Sequence, residues 1–187
     1  VSALEIHRGF THSFFFCVLF APIFAFVVSK YESYKNKKDW AWLFFLAFIT
    51  HPILDAQTTW GTKLFWPFDI RLAFKNVFVI DPLYTIPFLV FLILAMFQKR
   101  TNQKRRFYNN LGLIISSAYL IITLVLKGFA YQKFSEALAT QNINYTNLST
   151  KPTPLNTILW SANVETENSF LIGYASFFDK NAIHFSE

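Results

Sequence analysis

Four apolar runs divide this chain and limit what it can fold into. They are Ser13–Ser29, Asp39–Leu54, Pro82–Phe97 and Leu111–Leu126. Each is a little shorter than the roughly 20 apolar residues that cross a bilayer core as a helix. Neutral flanking residues extend each one, and Trp40 and Trp42 are side chains suited to a membrane interface. Pro22 and Pro87 lie inside runs, which membrane helices tolerate when neighbours cover the freed carbonyls. Only 15% of the residues are charged, against about 25% in soluble domains. Twenty-four phenylalanines add to the same bias. The expected fold class is therefore mainly α, a polytopic membrane protein with four transmembrane helices. Its expected domains are residues 1–127, the helical membrane part, and 128–187, a small extramembrane tail.

The charges supply an expected orientation. Lys30, Lys35, Lys37 and Lys38 follow the first run, and Lys99, Arg100, Lys104, Arg105 and Arg106 follow the third. These nine are over half of the seventeen basic residues. Clustering of this kind at helix ends is a topology signal and not a nucleic-acid footprint, so no nucleic-acid partner is expected. The positive-inside rule places both clusters in the cytoplasm. The N-terminal segment, the 55–81 loop and the tail then fall on the outer face. The single cysteine, Cys17, excludes a disulfide framework and a cysteine-based structural zinc site.

The tail has its own pattern. Gly128–Asn142 reads as an amphipathic helix and Asn144–Pro154 as a linker. Thr157–Ala162 and Phe170–Phe178 read as strands about a turn at Glu165-Thr-Glu-Asn. The chain opens at Val1 and closes soon after these strands, so it reads as part of a longer protein.

Against this apolar background, polar residues at the run ends stand out. His7-Arg-Gly-Phe-Thr-His-Ser13 precedes the first run and His51-Pro-Ile-Leu-Asp55 ends the second, together holding three of the four histidines. Ionisable groups are costly beside a membrane and mark sites. His51 and Asp55 share one helix face, one turn apart, and Thr59 extends that stripe if the helix persists. His7 and His12 lie about 140° apart on a helix. With Gly9 between them, His7 is expected in a turn and His12 at the start of the first helix, where both approach one ion. An imidazole and a carboxylate on one face form half of a divalent-metal site, for zinc or manganese. Thr11 and Ser13 are expected to cap the first helix.

Other candidates divide between two readings. Arg8 either clamps an anionic substrate or pairs with a carboxylate such as Glu5. Asp81 before Pro82 is a good helix N-cap and is also carried as a catalytic candidate. Trp60, Phe65, Trp66 and Phe68 form either an interfacial aromatic belt or the apolar wall of a lipid-facing pocket. His184 is expected at the surface.

The strings His7–Ser13, His51–Asp55 and Thr59-Trp-Gly-Thr-Lys-Leu-Phe-Trp-Pro-Phe68, with Asp81-Pro82 and Pro154-Leu-Asn-Thr-Ile-Leu-Trp160, resemble the YdjM-like family of predicted membrane-bound metal-dependent hydrolases. That family is a LexA-regulated inner-membrane group, distantly similar to zinc-dependent phospholipase C. The resemblance implies a bacterial inner-membrane enzyme with a divalent cofactor, zinc or manganese. It implies His7, His12, His51 and Asp55 as ligands, and Arg8 with His7 and Asp81 in catalysis. Family members carry a further Pro-Asp-x-Asp motif upstream of the segment seen here. Membrane lipids are the expected partners and a lipid or lipid-linked phosphoester the expected substrate. The competing reading is a non-enzymatic membrane scaffold or partner-binding protein whose polar cluster only fixes helix packing. A small transporter fits less well, because the cluster lies at helix ends and not at mid-membrane.

Overall fold

In the first forty residues the chain changes from a tight turn to a long apolar helix, and Ser13 makes the change. In the computed structural model, which describes residues 8–34, 36–179 and 181–187, Phe10–His12 form one 3₁₀ turn. Helix α1 follows at Phe14–Tyr31. The Ser13 hydroxyl accepts from Phe16 N at 3.1 Å and donates to Phe10 O at 2.6 Å, so it closes the turn and caps the helix together. The Thr11 hydroxyl lies 3.1 Å from His12 Nδ1.

Helix α2, Lys37–Gln57, starts at an Asn36 cap and packs along α1. The buried stripe of α1 is Cys17, Ala21, Ala25 and Ser29, one small residue per turn. Small side chains let two helix backbones approach closely, as they do in membrane bundles. The outer face of α1 carries exposed Phe14, Phe15, Val18, Leu19, Ile23 and Phe24. Large apolar side chains outward and small ones inward is the arrangement a lipid-facing helix requires. These elements and the loop to Phe74 form one compact unit, Val1–Phe74.

Lys75–Glu187 form the second unit. Asp81 caps helix α3, Pro82–Met96: its Oδ1 accepts from Leu83 N at 2.9 Å, and Pro82 occupies the first helical position. Helix α4 runs without a break from Gln103 to Thr140. Gly112 of α4 lies so close to α3 that a Cβ there would stand 2.9 Å from Phe91 Cβ. Four antiparallel strands follow in chain order: β1 Asn147–Pro152, β2 Leu159–Glu165, β3 Phe170–Ser176 and β4 Phe185–Ser186. Trp160, Ala162 and Val164 alternate inward along β2 and pack with Ala130, Phe134 and Leu138 of α4. A second, polar stripe on α4 is satisfied inside the same unit. Tyr119 OH donates to Asp81 Oδ2 at 2.7 Å, and Asn76 Nδ2 donates to Thr123 Oγ1 at 2.8 Å.

The structure corrects the expectation of four transmembrane helices. Among the described residues, only α1 and α4 are long and apolar enough to cross a bilayer. Trp40, Trp42, His51, Pro52 and Asp55 dilute the apolar character of α2. The 15 residues of α3 extend only about 22 Å at 1.5 Å per residue, short of the roughly 30 Å hydrocarbon core. The fourth run and the amphipathic segment after it are one helix, so the 127/128 boundary falls inside α4. The supposed 144–154 linker contains β1, which completes a four-stranded sheet where two strands were expected.

Phe134 is fully buried at the centre of the helix–sheet core. Phe134→Ala is expected to cost about 3–5 kcal/mol, read as a lower denaturant midpoint by circular dichroism.

Candidate metal centre

The end of α2 supplies two of the candidate ligands. His51 and Asp55 are four apart on an α-helix that closes at Gln57, so their side chains stack one turn apart. Thr58 ends the helix, its N–H and hydroxyl both reaching Asp55 O at 3.0 and 2.8 Å. Thr59 therefore lies past the helix and does not extend the stripe. The 3₁₀ turn ahead of α1 supplies the third candidate ligand, His12, which is buried and has its ring centre 5.0 Å from that of His51.

These groups converge on one oxygen. Asp55 Oδ2 lies 3.6 Å from His12 Nε2, 4.0 Å from His51 Nε2 and 3.8 Å from Arg8 Nε. The three histidine and carboxylate donor atoms all fall within 4.8 Å of one another. A tetrahedral ion with ligands near 2.1 Å holds its donors about 3.4 Å apart. The observed separations are too long for direct hydrogen bonds and close to what a shared cation needs. The donor chemistry, two imidazoles and a carboxylate, also suits zinc. Thr11 Oγ1 beside His12 Nδ1 fits the partner that commonly orients a ligating imidazole. The residues present therefore fit a divalent metal.

Arg8 shares the carboxylate with this group, and the following loop fixes its position. Arg8 Nη1 donates to Gly61 O at 3.3 Å, while Arg8 O accepts from Lys63 N at 3.1 Å and from Thr62 Oγ1 at 3.4 Å. Thr62 and Leu72 exchange both backbone hydrogen bonds at 2.9 Å, closing the loop on itself. Lys63 pairs with Asp69 across it at 2.5 Å, and that ammonium holds the exposed Asp69 carboxyl below its usual range. Leu64 O accepts from Phe14 N at 2.8 Å, which satisfies a first-turn N–H of α1.

Beyond this clamp the loop turns apolar. Phe10 packs edge-on against Trp66 at 5.1 Å and Phe16 at 5.4 Å. Phe14, Phe15 and Val18 of α1, with Leu64–Phe68 of the loop, line an open apolar cleft of about 320 Å³.

The other sequence candidates fall elsewhere. His7 lies outside the described residues. Asp81 belongs to the second unit, where one carboxylate oxygen caps α3 and the other accepts from Tyr119. His184 is exposed. Gly61, Thr62 and Leu72 are the residues that sequence reasoning missed. Their one signal was the Trp60-Gly-Thr62 string, whose glycine marks a backbone position closed to other residues.

Gly61 has φ +62°, and a Cβ there would sit 2.2 Å from Leu72 O. Gly61→Ala is expected to destabilise the protein by more than about 1 kcal/mol. Gly128→Ala meets no neighbouring atom within 4 Å and should be neutral or stabilising, by up to about 1 kcal/mol. Thermal unfolding of the two variants side by side checks the contrast.

Comparison with known proteins adds an independent observation. The family model described as YdjM inner membrane protein matches residues 1–130, the span that contains the Arg8, His12, His51 and Asp55 cluster. No curated protein and no solved structure matches the chain. The match covers well over half of the sequence, and the chain belongs to the YdjM inner membrane protein family.

Proposed function

We propose that this protein is a metal-dependent hydrolase of the inner membrane, acting on a lipid or lipid-linked phosphoester. The observation that carries this reading is the convergence of His12, His51 and Arg8 on one Asp55 oxygen. His12, His51 and Asp55 would hold the ion, zinc or manganese. When bound, a divalent cation supplies Lewis acidity to a scissile oxygen and makes a water molecule a stronger acid.

The chain's own groups suit an anionic substrate. Arginine has five N–H donors in a planar fork, and Gly61 O takes only one of them. Arg8 would offer its remaining guanidinium donors to the anionic oxygens of a phosphoester, which it recognises better than a neutral ester. The apolar cleft along α1 fits the hydrocarbon of such a substrate. The His51 side chain is 67% exposed, which leaves the cluster open on one side. Structural metal sites are closed, and this favours chemistry over the scaffold reading.

The charges flanking α1 support a position at the outer face. Arg8 and His12 precede this candidate span, and Lys30, Lys35, Lys37 and Lys38 lie at or just beyond its other end. The positive-inside rule puts that basic end in the cytoplasm.

Elemental analysis of the purified protein should find zinc or manganese near one ion per chain. His51→Ala and Asp55→Ala should each lower that content at least tenfold and abolish hydrolysis of phosphodiester lipids. Unchanged metal content in both variants would refute the ligand assignment. Thr11→Val should weaken zinc binding by about tenfold, the low end for loss of an orienting partner, measured by competition with a chromogenic chelator.

A further inference from the structure

The α3–α4 hairpin of the second unit carries a charge pattern that the hydrolase reading does not use. From Pro82 through Ser135 there is no Asp or Glu. Lys99, Arg100, Lys104, Arg105 and Arg106 all lie at the turn between the two helices. Among the described residues, no acidic side chain pairs with any of these five. The lysines between α1 and α2 are placed differently. Glu32 and Asp39 lie among them, and Lys30 and Lys37 sit over the Phe26 ring at 4.5 and 4.8 Å.

The arginines of the hairpin line a concavity and not a flat surface. A cleft of about 290 Å³ is bounded by Arg100, Arg105, Arg106, Asn109 and Asn110 on one side. Leu92, Ala95 and Met96 of α3 form the other side. Ala95 is buried, and its small side chain leaves the space that the cleft occupies. Three guanidinium groups and two amides over an apolar floor match an amphiphile with an anionic head. The volume is at the low end of ligand pockets, roughly 300–1,000 Å³. That is room for a head group, and the exposed apolar residues Leu89 and Ile93 of α3 lie on the same helix as the apolar lining.

We propose that the Arg100–Arg105–Arg106 cleft at the α3–α4 turn binds the phosphate head group of an anionic phospholipid. Charge complementarity commits it to a lipid. Guanidinium forks take phosphate oxygens in pairs, and the apolar floor gives a lipid an advantage over free phosphate. Basic pockets between apolar helices are a recurrent solution for anionic head groups. Because Arg100 and Arg106 are exposed and Arg105 is half-buried, salt weakens the electrostatic part of the binding.

The full chain, delipidated in a zwitterionic detergent, would be titrated with phosphatidylglycerol and, separately, phosphatidylcholine, with bound lipid counted by native mass spectrometry. Phosphatidylglycerol should bind at least tenfold more tightly than phosphatidylcholine. The triple variant Arg100→Gln/Arg105→Gln/Arg106→Gln should abolish the preference, and Lys30→Gln/Lys37→Gln/Lys38→Gln, which removes the same charge, should leave it within twofold. Asn109→Asp, which puts a carboxylate into the cleft without removing an arginine, should also cost at least tenfold. Equal loss in the lysine and arginine variants would show unspecific surface charge and overturn the site. So would equal affinity for the two lipids, or displacement by millimolar inorganic phosphate. Tighter binding of a short oligoribonucleotide than of phosphatidylglycerol would overturn the lipid assignment. Metal content serves as the independent reading of the hydrolase site, so failure of one proposal is distinguishable from failure of the other.

Discussion

One carboxylate oxygen organises the first unit. Asp55 Oδ2 is approached by an arginine and two histidines, all between 3.6 and 4.0 Å. Such a gathering is costly at the end of an apolar hairpin, because ionisable groups lose hydration there. It persists because the surrounding backbone is hydrogen-bonded. Gly61, Thr62 and Lys63 bind the Arg8 backbone and guanidinium, Leu64 binds the first turn of α1, and Ser13 closes the turn that carries His12. Removing the loop would leave these side chains at two helix ends without the backbone contacts that hold Arg8 and the start of α1.

The second unit uses its polar groups in a different way. Along α4, Ser116, Tyr119 and Thr123 precede Ala130, Phe134 and Leu138 on the buried side. The first group is bound within its own helix or to Asn76, Asp81 and Thr157, and the second packs on the sheet. Asp81 shows how a motif can carry two readings. Its capping role and its bond to Tyr119 account for both carboxylate oxygens, so structure alone is a sufficient reason for an Asp at that position.

Local signals were the most legible. Ser13 and Asp81 start helices where their side chains and the residues after them predict it, since capping involves only a few consecutive residues. The His51–Asp55 spacing gave a shared face for the same reason. The turn after Glu165 was also readable, with Thr166 and Ser169 bonding each other across it. Membrane span number was not legible, because runs of similar apolar length became helices of 18, 21, 15 and 38 residues. Where a helix stops depends on capping and on the sheet it packs against, and hydropathy reports neither. Strand β1 was missed because its Asn, Ser, Thr and Lys resemble a linker until β2 pairs with it.

The sequence by itself determined a membrane-directed, helix-rich chain with His12, His51 and Asp55 as candidate ligands. Composition and short-range spacing are sufficient for that. Only the tertiary structure decided that Arg8 joins them on one oxygen and that Gly61–Lys63 hold it there. It also decided that α4 completes the core of a four-stranded sheet. These contacts join residues more than forty positions apart in the first unit. In the second they join a helix to strands that follow it. No local propensity encodes such pairings, because they come into existence only when packing has brought the partners together.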